Sequence, residues 1–306
     1  MKKVYIRFEL SDQEKQQLQE TFKELEFVYK PDRDCEIVIG YLSTDSISDF
    51  LNLKWFQTTS IGVDKYIKKG ILKEDTILTN AVGVHTKEVA EHILATILTL
   101  IKNGHLYRDN QNQHIWKDEG KVKSVENLKV TIVGFGDIGN SLARKLKALG
   151  MYIIGVKRSL IDKPGYVDEL YTSSDLKTAI SGADVVVTIL PGNKSNEHLF
   201  DLDTFKCMKN DVIFVNAGRG NLYKEETLIE ALDKGLIAKA SLDVFEKEPL
   251  DPGSKLWDYR NVIITPHAAG NYHLQDAHDK MVELIYENLR RYVNGEELLN
   301  VVKERD

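Results

Sequence analysis

Residues 134–139 read GFGDIG, and they directly follow the apolar run VTIV at Val130–Val133. A glycine motif of this spacing, placed where a strand turns into a helix, constrains the fold more than any other feature of the chain. Gly134 permits the sharp turn, Gly136 lets the backbone approach a pyrophosphate, and Gly139 allows close packing of helix on strand. The N–H groups at the start of that helix attract phosphates. The sequence therefore predicts a dinucleotide-binding βαβ unit at this loop, although glycines also serve ordinary turns.

Short β-rich runs alternate with helical stretches in the first part of the chain. Ser11 is placed to cap a helix that carries Leu18, Phe22 and Leu25 on one face. The alternation predicts a parallel sheet with helices on both sides. The expected strands are Val4–Phe8, Glu36–Gly40, Trp55–Ser60 and Thr76–Asn80.

From Val130 onward the strand pattern is stronger, with apolar runs that are continuous, as in strands buried on both faces. Six such runs are enough for a complete doubly wound nucleotide-binding sheet. A last helix, Asp276–Gly295, ends on a glycine that suits a helix C-cap. We therefore expect two α/β units, the second spanning residues 101–271. The six predicted strands are Val130–Val133, Tyr152–Val156, Asp184–Leu190, Val212–Asn216, Ala238–Val244 and Val262–Pro266.

Charge and composition exclude several other classes of protein. A net charge of −6 argues against a general nucleic-acid binder, and no apolar run approaches the length that spans a bilayer. The N-terminal segment lacks the apolar region of a secretory signal. Cys35 and Cys207 stand far apart, and the spacing of His273 and His278 does not suit one helix face, so no metal site is expected. These features favour a reduced cytoplasmic protein that binds neither nucleic acid nor membrane.

The second predicted strand of the nucleotide-binding unit ends in cations rather than in a carboxylate. NAD sites usually have Asp or Glu here to accept from the ribose 2′-hydroxyl. In this chain Lys157, Arg158 and Ser159 occupy the position. Lys and Arg attract a 2′-phosphate, and Arg binds it with two hydrogen bonds. The pattern favours NADP(H), with NAD(H) as the alternative if these cations are only surface charges.

Three later strand ends carry side chains suited to redox chemistry on a carbonyl beside a carboxylate. Arg219 follows a strand in NAGRG, Glu248 lies in SLDVFEKEPL, and His267 lies in ITPHAAG. A guanidinium forks onto a carboxylate, and an imidazole, which titrates near neutral pH, gives or takes the hydroxyl proton. A carboxylate partner stabilises the imidazolium and orients the ring. Each residue alone has a plain structural explanation, but together, after a cofactor motif, they favour an active site.

The order of these motifs resembles the D-isomer-specific 2-hydroxyacid dehydrogenase family. GFGDIG, NAGRG, LDVFEKEPL and TPHAAG occur in the family's order, and TTSIGVDKY at Thr58–Tyr66 and TNAVGVHTKEVAEHIL at Thr79–Leu94 also resemble family segments. The likeness covers nearly the whole chain. It implies an α/β fold with two doubly wound parallel-sheet domains. A Rossmann cofactor domain, residues 101–271, is inserted in a discontinuous, flavodoxin-like substrate domain of residues 1–100 plus 272–306.

The resemblance also implies a role for each motif residue. Arg219 would bind the substrate carboxylate, His267 would be the acid/base, and Glu248 would be the partner of His267. Backbone N–H groups around Ser60, Ile61 and Gly62 would hold the substrate carboxylate from the other domain. The residues expected to contact the cofactor are Val89, Gly134, Phe135, Gly136, Asp137, Ile138, Gly139, Lys157, Arg158, Ser159, Leu190, Pro191, Ala217, Gly218, Asp243, Ala269 and Gly270.

The activity implied is reduction of a small 2-keto acid to the D-2-hydroxy acid, or the reverse, by a homodimer. Two positions depart from the common family pattern. Gly218 stands where Ala is frequent, which we expect to loosen the loop before Arg219. The cations of VKRS resemble the branch that favours NADP(H), which includes glyoxylate and hydroxypyruvate reductases. Loop Thr58–Lys65 and the region around Tyr272 are expected to set substrate preference, which stays undecided.

Two other kinds of function fit the same scaffold: a dehydrogenase of another small anion, formate or phosphite, and a nucleotide-sensing binding protein. Formate dehydrogenases resemble the family but place Gln where Glu248 stands, while a phosphite dehydrogenase is expected to have Lys near Ile61, where this chain has none. A nucleotide-sensing binding protein, like the corepressors of this scaffold, would keep the Arg, Glu and His. Corepressors carry additional tail segments, whereas this chain is compact. His85 is expected either to line the cleft or to lie in a solvated loop.

Overall fold

The structure is a computed structural model that describes residues 1–159 and 162–303. The strands are β1 (Lys2–Arg7), β2 (Leu25–Val28), β3 (Ile37–Gly40), β4 (Trp55–Gln57), β5 (Ile77–Thr79), β6 (Lys129–Val133), β7 (Tyr152–Lys157), β8 (Glu169–Thr172), β9 (Val185–Thr188), β10 (Ile213–Asn216), β11 (Lys239–Leu242) and β12 (Val262–Ile264). The α-helices are α1 (Asp12–Thr21), α2 (Thr44–Ile47), α3 (Thr86–Ile101), α4 (Gly104–Asn112), α5 (Asp137–Ala148), α6 (Leu176–Ser181), α7 (Leu202–Lys206), α8 (Glu225–Asp233) and α9 (Gln275–Asn294). Short 3-10 helices lie at Ser173–Asp175, Lys194–Asn196, Gly220–Leu222 and Lys255–Asp258.

Contacts divide the chain into two compact units. The first holds Met1–His85 together with the chain from Tyr272 onward, and the second holds Thr86–Asn271. The first boundary therefore lies before α3, whereas the sequence placed it after residue 100. The reason is packing, because α3 buries Ile93 and Ile97 in the same apolar cluster as strand β6.

The first unit is built on a parallel sheet of order β2-β1-β3-β4-β5. This is the flavodoxin-like order of a doubly wound fold. Ser11 caps α1 as predicted, and Glu14 completes a capping box. The helix is shorter than expected, however, because it ends at Thr21 and Leu25 begins strand β2. The apolar spacing had carried the predicted helix one turn into that strand.

The second unit is built on a parallel sheet of order β12-β11-β10-β9-β6-β7-β8. Counted from β6, the order is the 3-2-1-4-5-6 of a Rossmann sheet with β12 added beyond the sixth strand. The six predicted strands are all present, and the seventh described strand, β8, was missed. Its residues are only half-buried, so the continuous apolar signal of the central strands is absent from its sequence.

Helix α9 returns the chain to the first unit. Gly295 ends it in the left-handed conformation with φ +69°, as predicted for this C-cap. Met281, Ile285 and Leu289 of α9 are buried in the same cluster as Val4 of β1. No helix within the described residues combines the length and the apolarity needed to cross a bilayer.

Candidate active site

The glycine loop joins β6 to α5 and leaves a helix N-terminus accessible. Gly134 has a φ of +100°, and a Cβ there would lie 2.5 Å from the carbonyl oxygen of Ile189. A Cβ on Gly139 would lie 2.9 Å from the carbonyl oxygen of Gly134, so the close approach of helix and strand requires glycine. No described side chain caps α5 at its N-cap Gly136, where a Cβ would meet no described atom within 4 Å. The first turn of α5 therefore offers N–H groups to an anion in open space.

Phe135 is committed to the protein core rather than to this open space. Its ring is 1% exposed and lies so close to Gly155 that a Cβ on that glycine would be 3.0 Å from it. The N–H groups of Gly134 and Phe135 both donate to the carbonyl of Val156 at 3.1 Å. Asp137 and Ile138, in the first turn of α5, are exposed and half-buried respectively.

The cations predicted to bind a 2′-phosphate lie at the carboxyl end of β7. Lys157 is the last residue of the strand, and Arg158 and Ser159 follow with exposed side chains. Strand β8 ends beside it, with Thr172 paired in register with Lys157. The Thr172 hydroxyl donates to Asp175 Oδ2 at 2.6 Å. Sequence reasoning missed this neighbouring carboxylate because it missed β8.

Asn216, the buried last residue of β10, anchors the loop that carries Arg219. Its Oδ1 accepts from the Gly218 N–H at 3.1 Å and from the Thr188 hydroxyl at 2.9 Å. Its Nδ2 donates to the Arg219 carbonyl at 3.0 Å. Asn216 is the first residue of the NAGRG motif, but the sequence alone gave no indication that its side chain holds the loop.

Two glycines fix the same loop against its neighbours. A Cβ on Gly218 would lie 2.6 Å from the backbone nitrogen and oxygen of Leu190. A Cβ on Gly220 would lie 1.8 Å from the carbonyl carbon of Phe245, in the segment that leads to Glu248. The expectation that Gly218 loosens the loop is wrong, because the glycine allows a close backbone contact there.

Glu248 and His267 form a hydrogen-bonded pair. His267 Nδ1 lies 2.8 Å from Glu248 Oε2, and the Phe245 N–H donates to Glu248 Oε1 at 3.0 Å. Burial opposes ionisation of Glu248, but the hydrogen bonds from His267 and Phe245, with the positive charge of Arg219, lower its pKa below the usual value. The side chains of His267 and Glu248 are 48% and 37% exposed, so a small molecule in solvent can reach the pair.

Asp243 holds the loop that presents His267. Its side chain accepts from the Thr265 hydroxyl at 2.6 Å and from the N–H groups of Ala268 and Ala269 at 2.8 and 3.1 Å. The Asp243 carbonyl accepts from the His267 N–H at 2.8 Å. His267 has a φ of +51°, a left-handed conformation that this loop imposes. Contact of Asp243 with the nicotinamide stays a prediction.

Helix α3 lies behind this loop. His92 Nε2 is 3.3 Å from the Thr265 hydroxyl, a contact that sequence reasoning missed because it spans distant segments. Val89 is 6% exposed and packs in the same cluster as Ala269. The other predicted cofactor contacts lie at the carboxyl edge of this sheet, with Pro191 exposed and Leu190, Ala217 and Gly270 half-buried.

The loop predicted to bind the substrate carboxylate belongs to the first unit. The Ser60 N–H donates to the Thr58 hydroxyl at 3.2 Å. The Ser60 carbonyl accepts from the Ala81 N–H at 3.1 Å, and the Ile61 carbonyl accepts from Asn80 Nδ2 at 3.0 Å. Neighbouring backbone thus fixes the loop, in which Ser60, Ile61 and Gly62 are half-buried.

The remaining histidines and the cysteines form no metal centre in the described part of the chain. No group of three His, Cys, Asp or Glu side chains is arranged to hold a metal ion among residues 1–159 and 162–303. Cys35 and Cys207 are free thiols. His85 does not lie in a solvated loop, because it is 3% exposed and packs edge-on against Tyr272.

Comparisons with known proteins agree on one family. Residues 94–269 match the family model described as D-isomer specific 2-hydroxyacid dehydrogenase, NAD binding domain. A glyoxylate reductase of Thermococcus onnurineus is 31% identical over 296 residues, covering 89% of this chain and 86% of the relative. A crystal structure of a D-isomer specific 2-hydroxyacid dehydrogenase family protein from Aeromonas salmonicida superposes with a TM-score of 0.88 at 28% identity, covering 99% of each chain. The structure of an NADPH-dependent glyoxylate/hydroxypyruvate reductase from Sinorhizobium meliloti, solved with NADP and sulfate, superposes with a TM-score of 0.83 at 27% identity. The match covers 99% of this chain and 98% of the reductase.

Proposed function

The chain belongs to the D-isomer-specific 2-hydroxyacid dehydrogenase family, and we propose that it reduces a small 2-keto acid to the D-2-hydroxy acid with NADPH. It is an NAD(P)-dependent enzyme of this family. The main support for this proposal is the 2.8 Å contact between His267 Nδ1 and Glu248 Oε2. Arg219 lies in a loop packed against the segment leading to Glu248. A proton donor, its carboxylate partner and a guanidinium together match the groups of a 2-keto acid.

His267 is the proposed proton donor. Because Nδ1 faces Glu248, Nε2 is the atom that gives a proton to the keto oxygen as that oxygen becomes a hydroxyl. The lowered pKa of Glu248 keeps its carboxylate charged at neutral pH, so the carboxylate accepts from Nδ1 and orients the ring for the transfer. The reduced nicotinamide, when bound, supplies the hydride. In the oxidative direction the same Nε2 takes the proton from the hydroxyl.

Arg219 is proposed to bind the substrate carboxylate and to offset the negative charge that develops on the keto oxygen. The guanidinium has a fixed planar fork, which two hydrogen bonds to a carboxylate match. Its backbone is held by Asn216 and by the close contact at Gly220. We further propose that N–H groups of the loop Ser60–Gly62 bind the same carboxylate. Ile61 would give this loop an apolar side chain beside the substrate.

NADP(H) is the proposed cofactor because the chain offers groups that can bind both its pyrophosphate and its 2′-phosphate. The uncapped start of α5 supplies N–H groups for the pyrophosphate, and the open space at Gly136 leaves room for it. Lys157, Arg158 and Ser159 supply cations and a hydroxyl at the end of β7. The S. meliloti relative, solved with NADP, supports the same choice.

Replacing both cations tests this cofactor preference. In the double variant Lys157→Gln/Arg158→Gln, we expect the KM for NADPH to rise about tenfold or more, since charge-assisted hydrogen bonds are lost. The KM for NADH should change little. Lys177→Gln, which removes an exposed cation from α6, is the control. An unchanged ratio of the two KM values would contradict the proposed 2′-phosphate site.

A homodimer is proposed from the exposed apolar residues that follow α4. Trp116 is fully exposed, and Ile115 and Val122 are 45% and 47% exposed. Burial of these side chains against a second copy would remove their apolar surface from water, which favours association. Sedimentation equilibrium should give twice the mass of one chain, and the mass of a single chain at micromolar concentration would contradict the dimer.

The substrate class is tested by initial rates with a panel of 2-keto acids. Oxidation of NADPH and of NADH should be followed side by side with glyoxylate, hydroxypyruvate, pyruvate and 2-ketoisocaproate. We expect turnover with NADPH, fastest with the smaller acids. Turnover with NADH alone would keep the reductase and contradict the cofactor preference. Cofactor binding without turnover of any acid would favour the sensing protein over the enzyme.

One contact bears on the phosphite alternative. The only lysine of loop Thr58–Lys65 is Lys65. Its Nζ lies 3.6 Å from the ring centre of Tyr41 and 3.5 Å from the Leu42 carbonyl. These contacts place the ammonium group beside Tyr41 and Leu42, which favours a keto acid over phosphite.

A further inference from the structure

Two side chains from distant parts of the first unit converge on one carbonyl beside the proposed substrate loop. The Tyr272 hydroxyl donates to the Thr59 carbonyl oxygen at 2.6 Å. His85 Nε2 lies 3.3 Å from the same oxygen and donates when that nitrogen carries the proton. The rings of Tyr272 and His85 meet edge-on at 4.4 Å between centres. A carbonyl oxygen has two lone pairs, so these two groups fill its accepting capacity.

The backbone of Tyr272 has an uncommon, strained conformation. Its φ of +58° is left-handed, which is uncommon for a bulky residue. Phe8 packs edge-on against the Tyr272 ring at 5.2 Å, and His85 supports another side of it. Strain of this kind persists only where the surroundings hold it, and it concentrates at functional positions. Here it places the hydroxyl on Thr59.

The pinned carbonyl fixes the start of the loop. The Thr59 carbonyl and the Ser60 N–H belong to one planar trans peptide, so they point in opposite directions. The Ser60 N–H is itself held by the Thr58 hydroxyl at 3.2 Å. On the other side of the loop, Asn80 Nδ2 holds the Ile61 carbonyl at 3.0 Å. The conformation of the loop at Ile61 and Gly62 therefore depends on hydrogen bonds made on either side of it.

We propose that Tyr272, assisted by His85, is a positioning residue that sets loop Ser60–Gly62 for the substrate carboxylate. The inference rests on the proposed function, in which this loop binds a 2-keto acid. If the Thr59–Ser60 peptide rotates, the Ser60 N–H leaves the Thr58 hydroxyl and the backbone that leads to the N–H groups of Ile61 and Gly62 is displaced. The two donors prevent that rotation by holding the oxygen. Tyr272 thus acts on substrate affinity through the backbone.

Tyr272→Phe tests the proposal with the smallest change, because it removes one hydroxyl and keeps the ring. We expect the KM for the best keto acid to rise about three- to tenfold, the range set by one net hydrogen bond. The kcat should stay within about twofold and the KM for NADPH should not change, since His267 and the glycine loop belong to the other unit. A keto-acid KM equal to that of the wild-type protein would overturn the proposal.

Tyr286→Phe is the matched control. The Tyr286 hydroxyl also donates to a backbone carbonyl of the first unit, that of Glu14 at 3.3 Å, and its ring packs against Phe22. This variant should leave all three kinetic constants unchanged. An equal rise of the keto-acid KM in both tyrosine variants would reduce Tyr272 to a general structural role and overturn its assignment.

Hydrogen exchange gives a readout that does not depend on activity. In Tyr272→Phe, peptides covering Thr58–Tyr66 should exchange faster than in the wild-type protein and in Tyr286→Phe. If the wild-type protein reduces no keto acid, the proposed function fails, while the exchange result still decides whether Tyr272 positions the loop. Unchanged exchange in this segment would overturn the inference even in an active enzyme.

The variant His85→Phe provides a second test on the same acceptor. This variant should also raise the keto-acid KM. In the double variant with Tyr272→Phe, the fold-change in that KM should differ from the product of the two single fold-changes, because both side chains contact one oxygen. Strictly independent effects of the two variants would contradict a shared role. A thermal melt of each variant establishes that the fold is retained before the kinetics are compared.

Discussion

At the scale of single residues, Glu248 keeps its charge because its hydrogen bonds outweigh its burial. His267 and the Phe245 N–H each donate to one of its oxygens. The pKa of Glu248 is consequently lowered in the folded protein. A charged partner fixes the tautomer and orientation of His267, so Glu248 should matter more for the rate than for cofactor binding.

Glu248→Gln keeps the size of the side chain and removes its charge. We expect kcat for keto-acid reduction to fall about 10- to 100-fold, the value of one charge-assisted hydrogen bond, while the dissociation constant for NADPH changes little. Steady-state rates and fluorescence titration measure the two quantities. Glu246→Gln is the control, because Glu246 is exposed in the same segment and accepts instead from the Glu225 N–H. An equal fall of kcat in both variants would show that the negative charge of the segment matters rather than the hydrogen bond between Glu248 and His267.

The same pair has a pH signature in stability. Since the folded-state pKa of Glu248 lies below that of the unfolded chain, its stabilisation is complete above the unfolded value and is lost as pH falls through the folded one. Because the group is partly exposed, we expect at most about 1 kcal/mol. The difference in free energy of unfolding between the wild-type protein and Glu248→Gln should be constant near neutral pH and should shrink below about pH 4.5. A difference that grows with acid would contradict this sign.

At the scale of secondary structure, a substitution at the start of α5 should affect the stability of the protein and its affinity for the cofactor in opposite directions. Gly136 is an uncapped N-cap with extended backbone and open space around it. Gly136→Asp should keep or raise the melting temperature, because Asp caps helices well. It should weaken NADPH binding about tenfold or more, because the carboxylate takes the N–H groups and repels phosphate.

Calorimetric titration and thermal melts of the same sample measure both effects. Gly182→Asp, at an open position at the end of α6, controls for an added charge in the same unit. Unchanged NADPH affinity in Gly136→Asp would exclude this helix end as the phosphate site.

The loop after β10 should tolerate no side chain at Gly220. A Cβ at that position would overlap the Phe245 carbonyl carbon, so Gly220→Ala must displace the Arg219 loop. We expect a loss of about 1–3 kcal/mol in the free energy of unfolding, as for other overpacked sites, together with a loss of kcat/KM. Gly182→Ala, where a Cβ meets no described atom within 4 Å, should change neither. Denaturant unfolding and initial rates measure these two effects. If Gly220→Ala were as stable and as active as the wild-type protein, the close contact between Gly220 and Phe245 would be contradicted.

These elements also show which parts of the fold local sequence can predict. The central strands β6, β9 and β10 are fully or almost fully buried, so their apolar runs were unmistakable. Strand β8 lies at the sheet edge with half-buried residues and gave no such signal. The close contacts of Gly218 and Gly220 join segments that are distant in sequence. Local patterns cannot report such contacts, which is why the expected looseness at Gly218 was wrong.

At the scale of the whole molecule, the family and the two doubly wound sheets follow from the order of the motifs, and the comparisons confirm both. The first boundary between the units was misplaced because α3 lies between two patterns that each resemble an α/β domain. Only its burial with β6 assigns it to the second unit. The Asp243–Thr265–His92 contacts were missed for the same reason, since three separate segments contribute to them.

His267 is proposed to transfer the proton in a keto-acid reductase, and the variant His267→Gln removes that proton donor. Single-turnover oxidation of bound NADPH by the best keto acid should be compared in this variant and in the wild-type protein, with the NADPH dissociation constant measured on the same samples. We expect the rate in His267→Gln to be lower by about 10²- to 10⁴-fold, the usual value of a general acid, with NADPH affinity within about twofold. Reduction of the keto acid by His267→Gln at nearly the wild-type rate would show that His267 is not the proton donor.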